Sequence, residues 1–270
     1  MLYVAVNMRH WRISAARYMI RLGRLLQTLA VAVMRPDDLI EFSRRFYADP
    51  ASVKGWSRSD ILDEGLAPEE KDLLERSPVR SGRLLLLGVG GGREAIALAR
   101  EGFQVTGMDF VAGMIESAKA NAARRGISIS GLVQEISRLD VPDGSHDLAW
   151  LSARMYSSIP TRRRRTEMLR RIARALRSGG CFICQFHWEP RRQPPWLCRM
   201  HRAVARLTLG HLELEPGDAL LFGNEFLHAF ADRALVNEEF SEGGFTALHW
   251  SVSDENRSGG AVLQKKVSEA

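Results

Sequence analysis

Cysteine is scarce in this chain: Cys181, Cys184 and Cys198 are the only three in 270 residues. An odd, sparse set excludes the disulfide framework of a small secreted domain. Cys181-x-x-Cys184 has no second pair at zinc-binding spacing and falls in a segment that reads as a buried strand. Both are expected to be core residues in a protein of the reducing cytoplasm. Long apolar runs are also missing. Leu25–Met34, the longest, spans ten residues and includes Gln27 and Thr28, well short of the ~18–20 that cross a bilayer. The arginines before it resemble the positive region of a signal peptide. That approach is too long and too regularly helical, so a cleaved signal is not expected. Acidic residues are absent from positions 1–35, which hold six arginines. What remains is ordinary globular composition, 45% hydrophobic and 26% charged, which excludes a disordered or collagen-like chain. The length suits one large domain or a domain with a substantial insertion.

Net charge is +6 and the pI about 9.6; where the charge lies matters more than its total. Trp11, Ala15, Tyr18, Leu22, Leu25 or Leu26, Leu29 and Val33 recur at helical spacing, with Arg17, Arg21 and Arg24 alongside. This is a basic amphipathic helix. Two readings fit it: docking on its own domain or on a partner subunit of a homo-oligomer, and peripheral contact with an anionic membrane surface. Met34-Arg-Pro-Asp-Asp38 ends that helix and starts another, and residues 50–82 read as short helices and turns. Residues 1–80 are therefore expected to be an N-terminal helical cap.

From Arg83 the pattern alternates. Leu84–Leu87, Phe103–Met108, Ile127–Val133, Asp147–Leu151 and Cys181–Phe186 read as strands, with helices at Glu94–Glu101, Met114–Arg125 and Arg162–Arg177. Such a βαβ series builds a mostly parallel sheet covered on both faces. Residues 188–243 interrupt it as a helical insert, and Phe245–Val252 and Ala261–Val267 read as a closing antiparallel hairpin.

The strongest motif is LLLLGVGGGREAIALA, residues 84–99. A buried strand runs into a glycine turn and then a helix, whose first N–H groups point at whatever binds there. Counted from Gly88, a dinucleotide-type Gly-x-Gly-x-x-Gly/Ala frame fails at Arg93; counted from Gly90 it fits through Ala95 but starts two residues late. Asp109 ends the second strand about twenty residues on, where a carboxylate can accept hydrogen bonds from both hydroxyls of a ribose. Phe110 beside it offers a flat face to a purine. Asp109 also suits a helix cap.

Together LGVGGGR, VTGMDFVAGMIESAKANA, LVQEISRLDVPDGSHDLAWL and ALRSGGCFICQF resemble the class I S-adenosylmethionine-dependent methyltransferases. The resemblance covers residues 80–187 closely and the final hairpin more loosely. It implies a doubly wound, Rossmann-like α/β fold of seven strands, mostly parallel, with S-adenosyl-L-methionine as cofactor. By it, Gly88, Val89, Gly90 and Gly92 approach the methionine part and Asp109 holds the ribose. Phe110 flanks the adenine, Glu135 and Ile136 meet its edge, Leu151 and Ser152 line the floor, and Met114 is a further cofactor-binding residue. The family commonly has an acidic residue at the position of Leu86; here that contact falls to another group, such as the N-terminal region.

Methyl transfer is a direct displacement from a sulfonium, so alignment supplies much of the rate and a base is needed only for a protonated acceptor. Arg154, Tyr156, His187 and Trp188 follow the fourth and fifth strands, at the edge where such sheets bind ligands. Arg154, Tyr156 and His187 are the catalytic candidates. His201, His211 and His228 lack metal spacing, and no metal site is expected. The arginines of 162–177 lack interleaved aromatics, which favours an outer helix face over nucleic-acid binding. The expected activity is methyl transfer to a small-molecule or lipid-like acceptor. Its rivals are a nicotinamide-dependent oxidoreductase and a non-catalytic scaffold that binds a nucleoside.

Overall fold

The computed structural model describes the backbone of residues 2–267 apart from 152, 192 and 222, with side-chain burial from residue 11 onward. Five helices come first: α1 (Leu2–Val33), α2 (Pro36–Ala48), α3 (Pro50–Trp56), α4 (Ser59–Asp63) and α5 (Pro68–Arg76). Three of them begin at a proline whose preceding residue is extended, at Arg35, Asp49 and Ala67. A proline clashes with a helical residue before it yet fits the first helical turn, so these positions set the corners of the cap.

The sheet follows: β1 (Gly82–Leu87), α6 (Arg93–Arg100), β2 (Phe103–Asp109), α7 (Ala112–Ala123), β3 (Ser130–Val133), β4 (His146–Leu151), α8 (Arg162–Ala175) and β5 (Leu176–His187). After α9 (Pro195–Thr208), β6 (Asp218–Leu221), β7 (Glu225–His228) and α10 (Arg233–Glu242), the strands β8 (Phe245–Ser253) and β9 (Ser258–Lys265) close it. The order is β3-β2-β1-β4-β5-β9-β8. The first five strands are parallel, and β9 runs antiparallel between β5 and β8. This is the expected seven-stranded, mostly parallel sheet with a reversed hairpin.

Period-two alternation sorts the core. Leu84 and Leu86 pack on one face with Leu98, Ile115 and Leu73, while Leu85 and Leu87 pack on the other with Leu169, Ile172 and Phe240. All four leucines are fully buried, as a central parallel strand requires. Cys181 and Cys184 are buried and free in β5.

Two expected boundaries move. Helix α5 packs on β8 and β9, so the cap of residues 1–80 ends before it and α5 joins the sheet's cover. Helix α10 packs on α8 and β8, so it is the crossover into β8 and the insert closes at about residue 232. What protrudes is α9 and the β6–β7 hairpin, which pack on α1 and α2. The N-terminal helices and the insert thus form one layer, although some 150 residues separate them.

The basic run of α8 is largely ion-paired, although Arg163, Arg170 and Arg174 stay exposed. Arg162, Arg163, Arg164 and Arg171 pair with Glu242, Glu213, Asp37 and Glu167. Arg165 is fully buried between Glu215 and Glu239, each 2.8 Å away.

Candidate functional site

The glycine loop is pinned from two sides. The N–H groups of Gly88 and Val89 both donate to the Met108 carbonyl, at 2.8 and 2.9 Å. Asn121 of α7, itself buried, donates to the Gly91 carbonyl at 2.8 Å. Gly90 takes φ +50°, and a Cβ there would meet nothing within 4 Å. The left-handed backbone and the open space above it are what a ligand lying across the loop requires. Gly91 differs: a side chain there would strike the Trp56 carbonyl at the end of α3. The cap therefore seats directly on the loop.

Asp109 joins the loop to α7. Its carboxylate accepts the Gly90 N–H at 3.1 Å and the Val111 N–H at 3.0 Å. Burial raises its pKa, opposed by those amide donors. Both oxygens keep lone pairs for further donors. The local capping role and an open acceptor role coexist in one side chain.

A cavity of about 320 Å³ opens beside Phe110 and Glu135, bounded by Ile40 and Arg44 of α2 and by Val133. A larger cavity, about 590 Å³, lies at the opposite sheet edge along β8 and α10, away from the strand ends that carry the motifs. Ile136 and Met114 are buried, and Val89 and Leu151 are almost wholly so. The Glu135 carboxylate accepts the Ser137 N–H and hydroxyl, both at 2.8 Å, so it caps a short helical turn as well as edging the cavity. Ser152 lies outside the described residues. Leu86 is buried in the core. The nearby carboxylates are Glu70 of α5 and Glu94, both drawn to Arg93 just after the glycines.

Beyond β4 the backbone is strained. Ala153 and Arg154 take φ of 51° and 63°, a conformation costly for residues with a Cβ. The Ala153 N–H donates to Gln185 of β5 at 3.1 Å, and the Met155 thioether covers Gly88. Arg154 lies close enough to His187 for its charge to act there. Burial and that charge push the His187 imidazole down to about 4, so it is neutral at pH 7. Trp188 is mostly buried, its indole N–H donating to Asp254 at 2.9 Å.

Tyr156 corrects the sequence expectation. It is fully buried, its hydroxyl donating to Glu239 at 2.7 Å within the Arg165 cluster. A group so enclosed holds the strand-4 turn against α10 and does not face an acceptor.

A pair that the motifs did not reveal stands near Phe110. Tyr47 of α2 donates its hydroxyl to Glu225 of β7 at 2.7 Å, and its ring centroid is 6.5 Å from that of Phe110. The Asp109 charge reaches Tyr47. Burial raises the pKa of Glu225, and only the Tyr47 hydrogen bond opposes it. The available signal was a lone acid inside LLFGNEFLHAF.

The scattered histidines also converge. Asp218 accepts from His228 Nδ1 at 2.7 Å, and His211 Nε2 lies 3.5 Å from its other oxygen. Among the described residues no group has metal-binding geometry. Burial pushes Asp218 up to about 6 and His228 down to about 3. Unfolded histidine protonates near 6.5, so folded His228 and His187 bind protons later than the unfolded chain, and stability falls as pH drops through 6.5 towards 3–4. Asp218 opposes this only below about 6. Stability, and with it the melting temperature, should therefore fall between pH 7 and pH 5, the free energy by up to ~1.4 kcal/mol per pH unit for each such histidine. His228→Gln should flatten that dependence; an unchanged slope would show that His228 does not set it.

Known proteins fit this picture. A family profile described as "Methyltransferase domain" matches residues 84–180. A ubiquinone biosynthesis O-methyltransferase of Caulobacter sp. (strain K31) is 39% identical over 71 residues, which are 26% of this chain and 28% of that protein. The 1,6-didemethyltoxoflavin-N1-methyltransferase of Burkholderia thailandensis, solved with its acceptor and S-adenosylhomocysteine, superposes with a TM-score of 0.59 at 17% identity, covering 85% of this chain and 91% of that one. A SAM-dependent methyltransferase of Methanosarcina mazei gives 0.57 at 20% identity, covering 76% and 100%. At such identities these structures speak for the fold, and the matched profile and motifs speak for the cofactor. Residues 84–180 thus match a methyltransferase domain, and the chain shares the fold of S-adenosylmethionine-dependent methyltransferases.

Proposed function

We propose that this protein transfers a methyl group from S-adenosylmethionine to a small-molecule, lipid-like acceptor held between the N-terminal helices and the insert. The observation that carries this reading is the Tyr47–Glu225 hydrogen bond, which joins those two elements beside Phe110. The relatives' names point to small molecules: one is an O-methyltransferase of ubiquinone biosynthesis, and the other was solved with bound 1,6-didemethyltoxoflavin.

S-adenosylmethionine held at this site would supply an electrophilic methyl on a sulfonium. In this reading Asp109 takes the ribose hydroxyls, Gly88 to Gly92 carry the methionine part, and Phe110 with Ile136 enclose the adenine. Glu225 has a raised proton affinity and no cation among its charge partners, so it accepts the proton of a hydroxyl or amine acceptor. His187 is the second candidate base, weakened by Arg154 beside it. Arg154 orients an acceptor oxygen by its charge.

The test is transfer of labelled methyl to a panel of demethylated quinols and catechols. Glu225→Gln should lower kcat at least about a hundredfold, the ordinary contribution of a positioned base, with cofactor affinity unchanged. Wild-type turnover in that variant would remove Glu225 from the reaction. Tight binding of NADH in place of the cofactor would favour the oxidoreductase reading.

A further inference from the structure

We propose that α1 and α9 form a surface that rests on an anionic lipid bilayer. Most of the large apolar side chains left exposed in the described structure lie on these helices and the turn after α9. Trp11, Tyr18 and Met19 of α1 are 56%, 68% and 70% exposed, and Leu207 of α9 is 87% exposed. The apolar stripe of α1 therefore does not dock on its own domain. The helix becomes buried only near its end, at Val31 and Ala32, where it meets α9 and β6. There the N–H of His211, just past α9, donates to the Ala32 carbonyl at 3.0 Å, joining the two helices.

Charge identifies the occupant. Residues 1–36 and 190–212 contain no acidic residue. Arg12, Arg17, Arg21 and Arg24 on α1 and Arg199, Arg202 and Arg206 on α9 are all exposed. Five of the seven arginines of α8 pair with carboxylates, whereas α1 and α9 carry no acidic residue to offset theirs. A second copy would bring like charge against like charge. A nucleic-acid duplex would match the arginines and leave the tryptophan, tyrosine and methionine uncovered. An anionic bilayer satisfies both halves: apolar side chains enter the acyl boundary, while arginines reach along their stems to lipid phosphates. This surface is argued independently of the acceptor chemistry, and it would bring the insert to a lipid interface.

The test is co-sedimentation of the full chain with vesicles of phosphatidylglycerol and phosphatidylcholine, and with phosphatidylcholine vesicles alone. Binding is expected to the first, with release in high salt and little binding to the second. Replacing Arg12, Arg17, Arg21 and Arg24 by Ser should weaken binding about fivefold per arginine. Trp11→Ser with Tyr18→Ser and Met19→Ser should weaken it further. Calorimetric titration with S-adenosylmethionine should be unchanged in every variant, which separates loss of membrane binding from loss of the methyltransferase fold. Failure to sediment with anionic vesicles would overturn the proposal, as would binding indifferent to the arginines. So would self-association abolished by the Trp11, Tyr18 and Met19 substitutions, which would assign the face to a second copy, or duplex DNA bound more tightly than the vesicles.

Discussion

Asp109→Ala should weaken S-adenosylmethionine binding at least about tenfold, because each charge-assisted hydrogen bond from a ribose hydroxyl is worth ~1.5–3 kcal/mol. The same substitution orphans the Gly90 and Val111 amides, a cost of about 1–3 kcal/mol in stability. Asp109→Asn separates the two effects. An Asn side chain can accept from only one of those two amides, so it should keep part of the stability and lose most of the affinity. Calorimetric titration and thermal melts read both quantities, and unchanged affinity in both variants would remove Asp109 from the cofactor site.

The largest stability effect is expected at Arg165. Its guanidinium bonds Glu239 twice, at 3.0 and 2.8 Å, and Glu215 once, at 2.8 Å. It also lies over the Phe230 ring at 5.2 Å. Glu239, only 3% exposed, additionally holds the Tyr156 hydroxyl. Arg165→Ala leaves that carboxylate buried without its cation, a loss of about 3–5 kcal/mol. For a chain of this size the melting temperature should fall by roughly 2–4 °C per kcal/mol. The double variant Arg165→Met, Glu239→Leu should recover most of the loss, because removing both charges also removes their burial cost. A single variant that melts like wild type would mean the network contributes no net stability. A double variant no better than the single would mean that packing, not charge, sets the cost.

Much of the fold was legible in local pattern. Four consecutive leucines, a glycine turn and an amphipathic helix follow one another within residues 84–99, and only a buried parallel strand feeding a helix suits that succession. Phe245–Ser253 and Ser258–Lys265 are separated by a polar link too short for a crossover, so the reversed hairpin could be read as well. Asp109 could be singled out because its place after β2 is set by the strand itself.

What lay beyond the sequence was every contact made by side chains far apart in the chain. Tyr47 and Glu225 are 178 positions apart, and Tyr156 and Glu239 are 83 apart. Strand and helix periods repeat every two or 3.6 residues, so they tell which face a residue occupies and not what stands opposite. Arg165 looked like its neighbours in a run of four arginines; only the packing of α8 under α10 buries it. Tyr156 looked like a strand-end functional residue until α10 supplied Glu239 to its hydroxyl. The exposed stripe of α1 shows the same division. Sequence spacing determined that one face is apolar and basic-flanked, and tertiary packing decided that the rest of the chain leaves it uncovered.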